Sequence, residues 1–182
     1  MDIVAGPDGR IVAVARHNPK FFLLGFLPNG SPDPAFGKEG VVQTDLEEWA
    51  RLFVVKDGFL AVGLIMGDKG WDVAIERYDQ SGHKDDSFGE SGRVTIPFDP
   101  FYPMVRAALP LANGDHVFAV VTEGHHAISH AALVKVTRDG RLDPAFGRNG
   151  VQFDPIPDLM ELVQITRTTD NEFVLVARRS SE

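Results

Sequence analysis

The chain contains no cysteine, which excludes a disulfide scaffold, a thiolate metal site and a cysteine nucleophile. It is also short of cations: 18 Lys and Arg stand against 26 Asp and Glu, a formal charge of -8. That balance lacks the basic footprint that a phosphate backbone needs and disfavours anionic membrane surfaces, so nucleic acid is not expected as a partner. No run approaches the roughly 18 apolar residues of a membrane span, so membrane insertion is not expected. The opening "MDIVAGPDGRIVAVAR" has no basic segment followed by an apolar one and reaches a turn at Pro7-Asp8-Gly9, so no export signal is expected in the chain as given. No long apolar pattern recurs at helical period, which predicts little or no helix. The 182 residues suffice for one substantial core and are too few for two large domains.

What is present is a repeat. The stretches "GSPDPAFGKEG", "GHKDDSFGESG" and "GRLDPAFGRNG" all obey Gly-x-x-Asp-x-x-Phe-Gly-x-x-Gly. The fixed positions are Gly30, Asp33, Phe36, Gly37 and Gly40, then Gly82, Asp85, Phe88, Gly89 and Gly92, then Gly140, Asp143, Phe146, Gly147 and Gly150. Phe36 and Phe88 lie 52 positions apart, Phe88 and Phe146 58, periods in the range of stacked β repeats. Turn chemistry accounts for these residues. The first Gly, preceded by Asn29, Ser81 or Asp139, closes a turn, and the Asp can accept backbone N–H bonds in an Asx turn. The Phe is the large apolar group of a polar loop and is expected to plug the end of a core. A calcium loop or phosphate loop would need alternating aspartates or a Gly-Lys-Ser/Thr run, and neither is present.

Between the signatures, "PDGRIVAVA", "KDGFLAVGL", "NGDHVFAVV" and "TDNEFVLVA" each place a turn before an apolar run, the mark of a β-hairpin. A further strand precedes each signature, as in "WDVAIERYD", where Trp71, Val73 and Ile75 alternate with Asp72, Ala74 and Glu76. A short strand follows each signature, as in "VVQTDL", "RVTIPF" and "VQFD". Counted from the end of each signature, the chain reads as one all-β repeat domain. It forms a β-propeller-like array of about four blades of antiparallel four-stranded meanders, with blades at 1-40, 41-92, 93-150 and 151-182. The first and last blades are incomplete, so the blades hold three, four, four and three strands. Blades bury their faces by stacking on neighbours, and two incomplete ends predict a homodimer formed through the end blades.

The segment "DVAIERYDQSGHKDDSFGESGRV", Asp72 to Val94, closely resembles the delta-60 repeat, whose pattern runs Asp-aromatic-Ala-Leu-x-Arg-Tyr-x-x-x-Gly-x-x-Asp-x-x-Phe-Gly-x-x-Gly. The resemblance covers nearly the whole chain through its three copies. It implies propeller-like β repeats of bacterial, often envelope-associated or secreted, proteins. If Met1 is the true start, a cytoplasmic compartment is expected instead. In the flanking copies Arg77-Tyr78 is replaced by Phe26-Leu27 and by Lys135-Val136. The family implies no catalytic site.

Few residues carry candidate chemistry. "TEGHHAISH" gathers Glu123, His125, His126 and His130, a donor set suited to zinc if the side chains converge. Solvated loop histidines are the plainer reading, and no cofactor is expected. Ser129 beside His130 has no oriented base in sequence, and Glu47, Glu48 and Asp99 read as solvent-facing charges. Loop length is more informative. From Gly37 to Gly58 is 21 residues and from Gly89 to Gly114 is 25. The third blade is thus extended at "FDPFYP" and at "EGHHAISH", two connections that emerge at one end of a meander. Trp49 and Trp71 of the neighbouring blade belong to the same end. The expected contact set is Trp49, Trp71, Asp99, Phe101, Tyr102, His125, His126 and His130, recognising a protein or glycan, since variable loops on a rigid scaffold carry function. The expected function is a non-catalytic binding or scaffold module. The alternatives are a lactonase-like, metal-dependent propeller hydrolase and a fragment of a larger repeat protein.

Overall fold

Val, Ile, Leu and Phe concentrate in short runs between Gly and Asp turns, and these runs form strands throughout. The computed structural model describes residues 2–6, 8–98, 102–123, 129–154, 159–168 and 173–179. Among them there is no helix, and fourteen strands make four antiparallel sheets, none closed on itself. The first sheet holds β1 (Asp2–Ala5), β2 (Ile11–His17), β3 (Lys20–Phe26) and β4 (Val41–Gln43). The second holds β5 (Glu48–Val55), β6 (Gly58–Met66), β7 (Trp71–Asp79) and β8 (Arg93–Pro97). The third holds β9 (Tyr102–Pro110), β10 (His116–Glu123), β11 (Ser129–Val136) and β12 (Val151–Asp154), and the fourth β13 (Leu159–Arg167) and β14 (Phe173–Arg179).

The grouping differs from the sequence reading, which opens a new blade after each signature. Each post-signature strand instead returns to the strand before it: Leu24 pairs with Val41 and Val134 with Val151. The cause is the signature itself. Bridges Phe26 to Pro32 and Lys38 to Val41 fold it into a compact loop that brings the chain back alongside β3. The sheets therefore hold four, four, four and two strands. The same bridges correct an equivalence. Phe26, Tyr78 and Val136 pair with Pro32, Lys84 and Leu142, so Arg77-Tyr78 is matched in the first repeat by Gly25-Phe26 and not by Phe26-Leu27.

Contacts divide the chain into two compact units, Met1–Gly67 with Asp72–Ile96, and Asp68–Trp71 with Pro97–Glu182. In the first unit, Val12, Val14, Phe21, Leu23 and Phe36 of the first repeat pack on Leu46, Ala50, Leu52, Phe59, Ala61 and Tyr78. In the second, Val117, Ala119, Val121 and Ala131 of the third sheet pack on Ile165 of the fourth. Burying one such side chain contributes about 1.5–3 kcal/mol. The alternation read in β7 is only half right in its consequence. Val73 and Ile75 are buried, but so are Ala74 and Glu76, at 0% exposure, so the strand period marks which residues share a face and not which face meets solvent.

Candidate functional site

The signature loops share a set of backbone bonds. The N–H groups of Gly25, Arg77 and Lys135 donate to the carbonyls of Gly40, Gly92 and Gly150, and those of Asp33, Asp85 and Asp143 donate to the carbonyls of Gly25, Arg77 and Lys135. Gly30, Gly82 and Gly140 close turns onto the carbonyls of Leu27, Asp79 and Thr137. Each fixed Asp accepts through Oδ1 from the N–H two residues on: Ala35 at 3.0 Å, Ser87 at 3.1 Å and Ala145 at 2.9 Å. The Oδ2 of each faces a cation: Arg77 Nε at 3.3 Å for Asp85, Lys135 Nζ at 2.6 Å for Asp143 and Arg10 Nε at 3.5 Å for Asp33. These contacts hold Asp85 and Asp143 below the ordinary carboxylate range. For Asp85 the Ser87 hydroxyl is the chief cause, and for Asp143 the Lys135 ammonium. Gly25 explains why Arg10 is recruited: a Cβ at residue 25 would collide with the Phe36 ring, so the ring lies on bare backbone where Arg77 instead stacks over Phe88 at 5.8 Å. Phe36 and Phe88 are buried to 1% exposure, whereas Phe146 is only half-buried, with its ring 5.9 Å from Phe173.

The strand ends that flank the longer loops lie at the opposite end of the third sheet. Tyr102 pairs with Glu123, Glu123 with Ser129, and Thr122 with His130, so the ends of three neighbouring strands present these positions in a row. The Trp71 ring meets Tyr102 edge to face, 6.4 Å between centroids at 78°. Asp99, Phe101, His125 and His126 lie outside the described residues, and of Glu123 and His130 only the backbone is described. Phe98 is buried against Phe153. Trp49 belongs to the first unit: it sits at the bulge that opens β5, at φ 48°, with Arg51 over its ring at 5.7 Å. Gly63 faces its carbonyl where a side chain would not fit. Glu47 and Glu48, read as solvent-facing, keep 42% and 33% of their side chains exposed and are bonded at the surface. Glu48 takes both terminal nitrogens of Arg16 at 3.2 Å, and Glu47 accepts from the Met66 N–H at 3.1 Å.

Sequence reasoning missed one cluster. Glu76 is fully buried and accepts from Tyr78 Oη at 2.7 Å, Lys84 Nζ at 2.9 Å and the Asp45 N–H at 3.3 Å. Lys84 bridges onward to Asp45 at 2.6 Å, with Arg93 at 3.6 Å. Burial pushes Glu76 and Tyr78 up, while the Lys84 hydrogen bond pulls Asp45 down. Burial alone would lower Lys84, but hydrogen bonds to Asp45 and Glu76 outweigh it and leave it raised. The signal was there: structurally equivalent positions hold Leu24 and Val134, so a Glu is the odd residue in an apolar column. Beside the cluster a cleft of about 300 Å³ is lined by Asp57, Arg77, Tyr78, Asp79, His83 and Lys84, among others. Arg77, His83 and Lys84 are already paired with carboxylates, as the bridges to Asp85, Asp79 and Glu76 show.

Among the described residues no group of three or more His, Asp or Glu is placed to hold a metal ion, and no helix is long and apolar enough to cross a membrane. No family model matches the chain, and no curated protein or solved structure matches it either.

Proposed function

We propose that the chain is a non-catalytic binding or scaffold module built from delta-60-like, propeller-type β repeats, and that it recognises a protein or glycan through the varied end of its third sheet. The observation that carries this reading is the Trp71–Tyr102 pair at the strand ends that also present Glu123 and His130. Edge-to-face aromatics beside polar strand ends supply rigid contact area and hydrogen bonding together, the combination that anchors interfaces. The charged residues of the repeat point the same way. The fixed Asp of each signature is committed to its turn and its cation, leaving specificity to the loops.

The test is a glycan array and a pulldown with the intact chain, repeated with Tyr102, His125 and His126 replaced together by Ala. Binding should weaken at least about tenfold, the scale of a single interface hot spot, while the melting temperature falls by no more than a few degrees. Retained capture with a large loss of stability would place Tyr102 in the core and overturn the reading.

A further inference from the structure

In the first unit, the first signature loop holds the turn that opens the second. The Gly37 N–H donates to the Ser81 carbonyl at 2.7 Å, and the next residue, Gly82, is buried so closely that a Cβ would stand 2.8 Å from Val42 Cγ2 and 3.0 Å from the Phe36 ring. The glycine turn of the second repeat is thus seated in a notch made by Phe36, Gly37 and Val42 of the first. That turn is carried by the hairpin of β7 and β8, whose strand β7 lies beside β6.

The third signature builds the same notch. Phe146, Gly147, Val151 and Gln152 stand where Phe36, Gly37, Val41 and Val42 stand, with the bridge Arg148 to Val151 matching Lys38 to Val41. Here the notch is open: Gly147, Arg148, Val151, Gln152 and Phe153 line a cavity of about 560 Å³. Among the described residues no carbonyl accepts from the Gly147 N–H, and Phe146 is left half-buried. The fourth sheet is where the corresponding hairpin belongs. It consists of β13 and β14 alone, so the outer edge of β14 has no strand on it among the described residues, whereas β2, β6 and β10 each have a strand on both sides.

We propose that the Gly147 notch and the β14 edge form one docking site for a two-stranded hairpin of this same repeat class. Its first strand pairs with Phe173–Arg179 by β-addition. Its Ser-Gly, Asn-Gly or Asp-Gly turn enters the notch, with a turn carbonyl accepting from the Gly147 N–H. The chemistry recognised is a backbone carbonyl followed by a residue without a side chain, so glycine at that turn is the specificity element. The site is independent of the ligand-binding end proposed above.

The experiment adds a dye-labelled peptide of residues 71–97, the β7 and β8 hairpin with its signature, to the full chain and reads anisotropy and amide exchange. Binding at about 100 μM or tighter, with new protection at Gly147 and Phe173–Arg179, is expected. The peptide carrying Gly82→Leu, and the full chain carrying Gln152→Arg at the exposed rim of the notch, should each weaken binding about tenfold. The proposal is overturned if the peptide does not bind at millimolar concentration, if glycine and leucine peptides bind alike, or if protection falls elsewhere. It is also overturned if bound peptide leaves unprotected the Phe173–Arg179 amides that point away from β13.

Discussion

Asp33, Asp85 and Asp143 each combine a turn bond with a cation contact, though Asp33 Oδ2 makes no hydrogen bond, and their cations come from different places. Arg77 and Lys135 sit on the strand that enters the signature, and Arg10 arrives from the turn before β2. The carboxylate needs a counter-charge because it is partly or wholly withdrawn from water, Asp33 to 3% exposure, and an unpaired buried charge is costly. Asp33→Ala removes both the turn bond and the partner of Arg10, and should cost about 1–3 kcal/mol, a drop of roughly 2–4 °C in melting temperature per kcal/mol for a chain of this size. Asp33→Asn keeps an Oδ1 acceptor for the Ala35 N–H and should lose distinctly less. Equal losses in thermal melts of the two variants would assign the effect to the Arg10 pair and remove the turn bond from the account. The turn was legible in sequence because an Asx acceptor acts over two residues. The Arg10 partner was not, since only the folded hairpin brings it near.

At the scale of the element, hairpins and strand positions were readable from Asp-Gly turns and β-branched runs, and the partition of strands into sheets was not. A three-residue strand such as Val41–Gln43 has the same composition whether it pairs backward or forward, and the compactness of the preceding loop decides. Glu76 was misplaced for a related reason: period two tells which residues share a face, and not whether that face is dry. Its cluster gives a sharp test. Glu76→Leu alone leaves Tyr78 Oη unpaired and Lys84 with one carboxylate, and should destabilise by about 3–5 kcal/mol, as breaking a buried ionic network does. Glu76→Leu with Tyr78→Phe and Lys84→Leu installs apolar residues like those of the other repeats, and should recover most of that loss. The sign with pH follows from the raised pKa of Glu76. Stability from its protonated form is complete below about 4.5, the ordinary value, and is lost as pH rises through the higher folded value. Wild type should therefore fall behind Glu76→Gln in chemical denaturation as pH climbs from 4.5, and a constant gap across that range would refute the burial effect.

At the largest scale each unit has exposed apolar residues on one sheet, the first in one unit and the fourth in the other. The pairs Ala5 with Ile11, Pro110 with His116 and Arg167 with Phe173 join equivalent strands across five intervening positions, so Val174 and Val176 occupy the places of Val12 and Val14 and of Val117 and Ala119. The latter four are at most 1% exposed beneath the next sheet, while Val174 and Val176 are 41% and 46% exposed. On the first sheet Ile3 is 63% exposed, and its neighbour Val4 faces the core. Each unit thus presents one apolar sheet face that its own repeats bury elsewhere, and isolated apolar sheet faces favour association. We propose that two copies join first sheet to fourth sheet, twice, in a two-fold homodimer. These contacts use the sheet faces and leave the β14 edge to the hairpin site. Light scattering during gel filtration should give twice the 19.9 kDa chain mass at micromolar concentration. Ile3→Lys, or Val174→Lys with Val176→Lys, should each yield a folded monomer, because either change places charge in a contact that must dehydrate. A wild-type monomer at that concentration sinks the dimer, and a dimer that survives both sets of lysines moves the interface away from these faces.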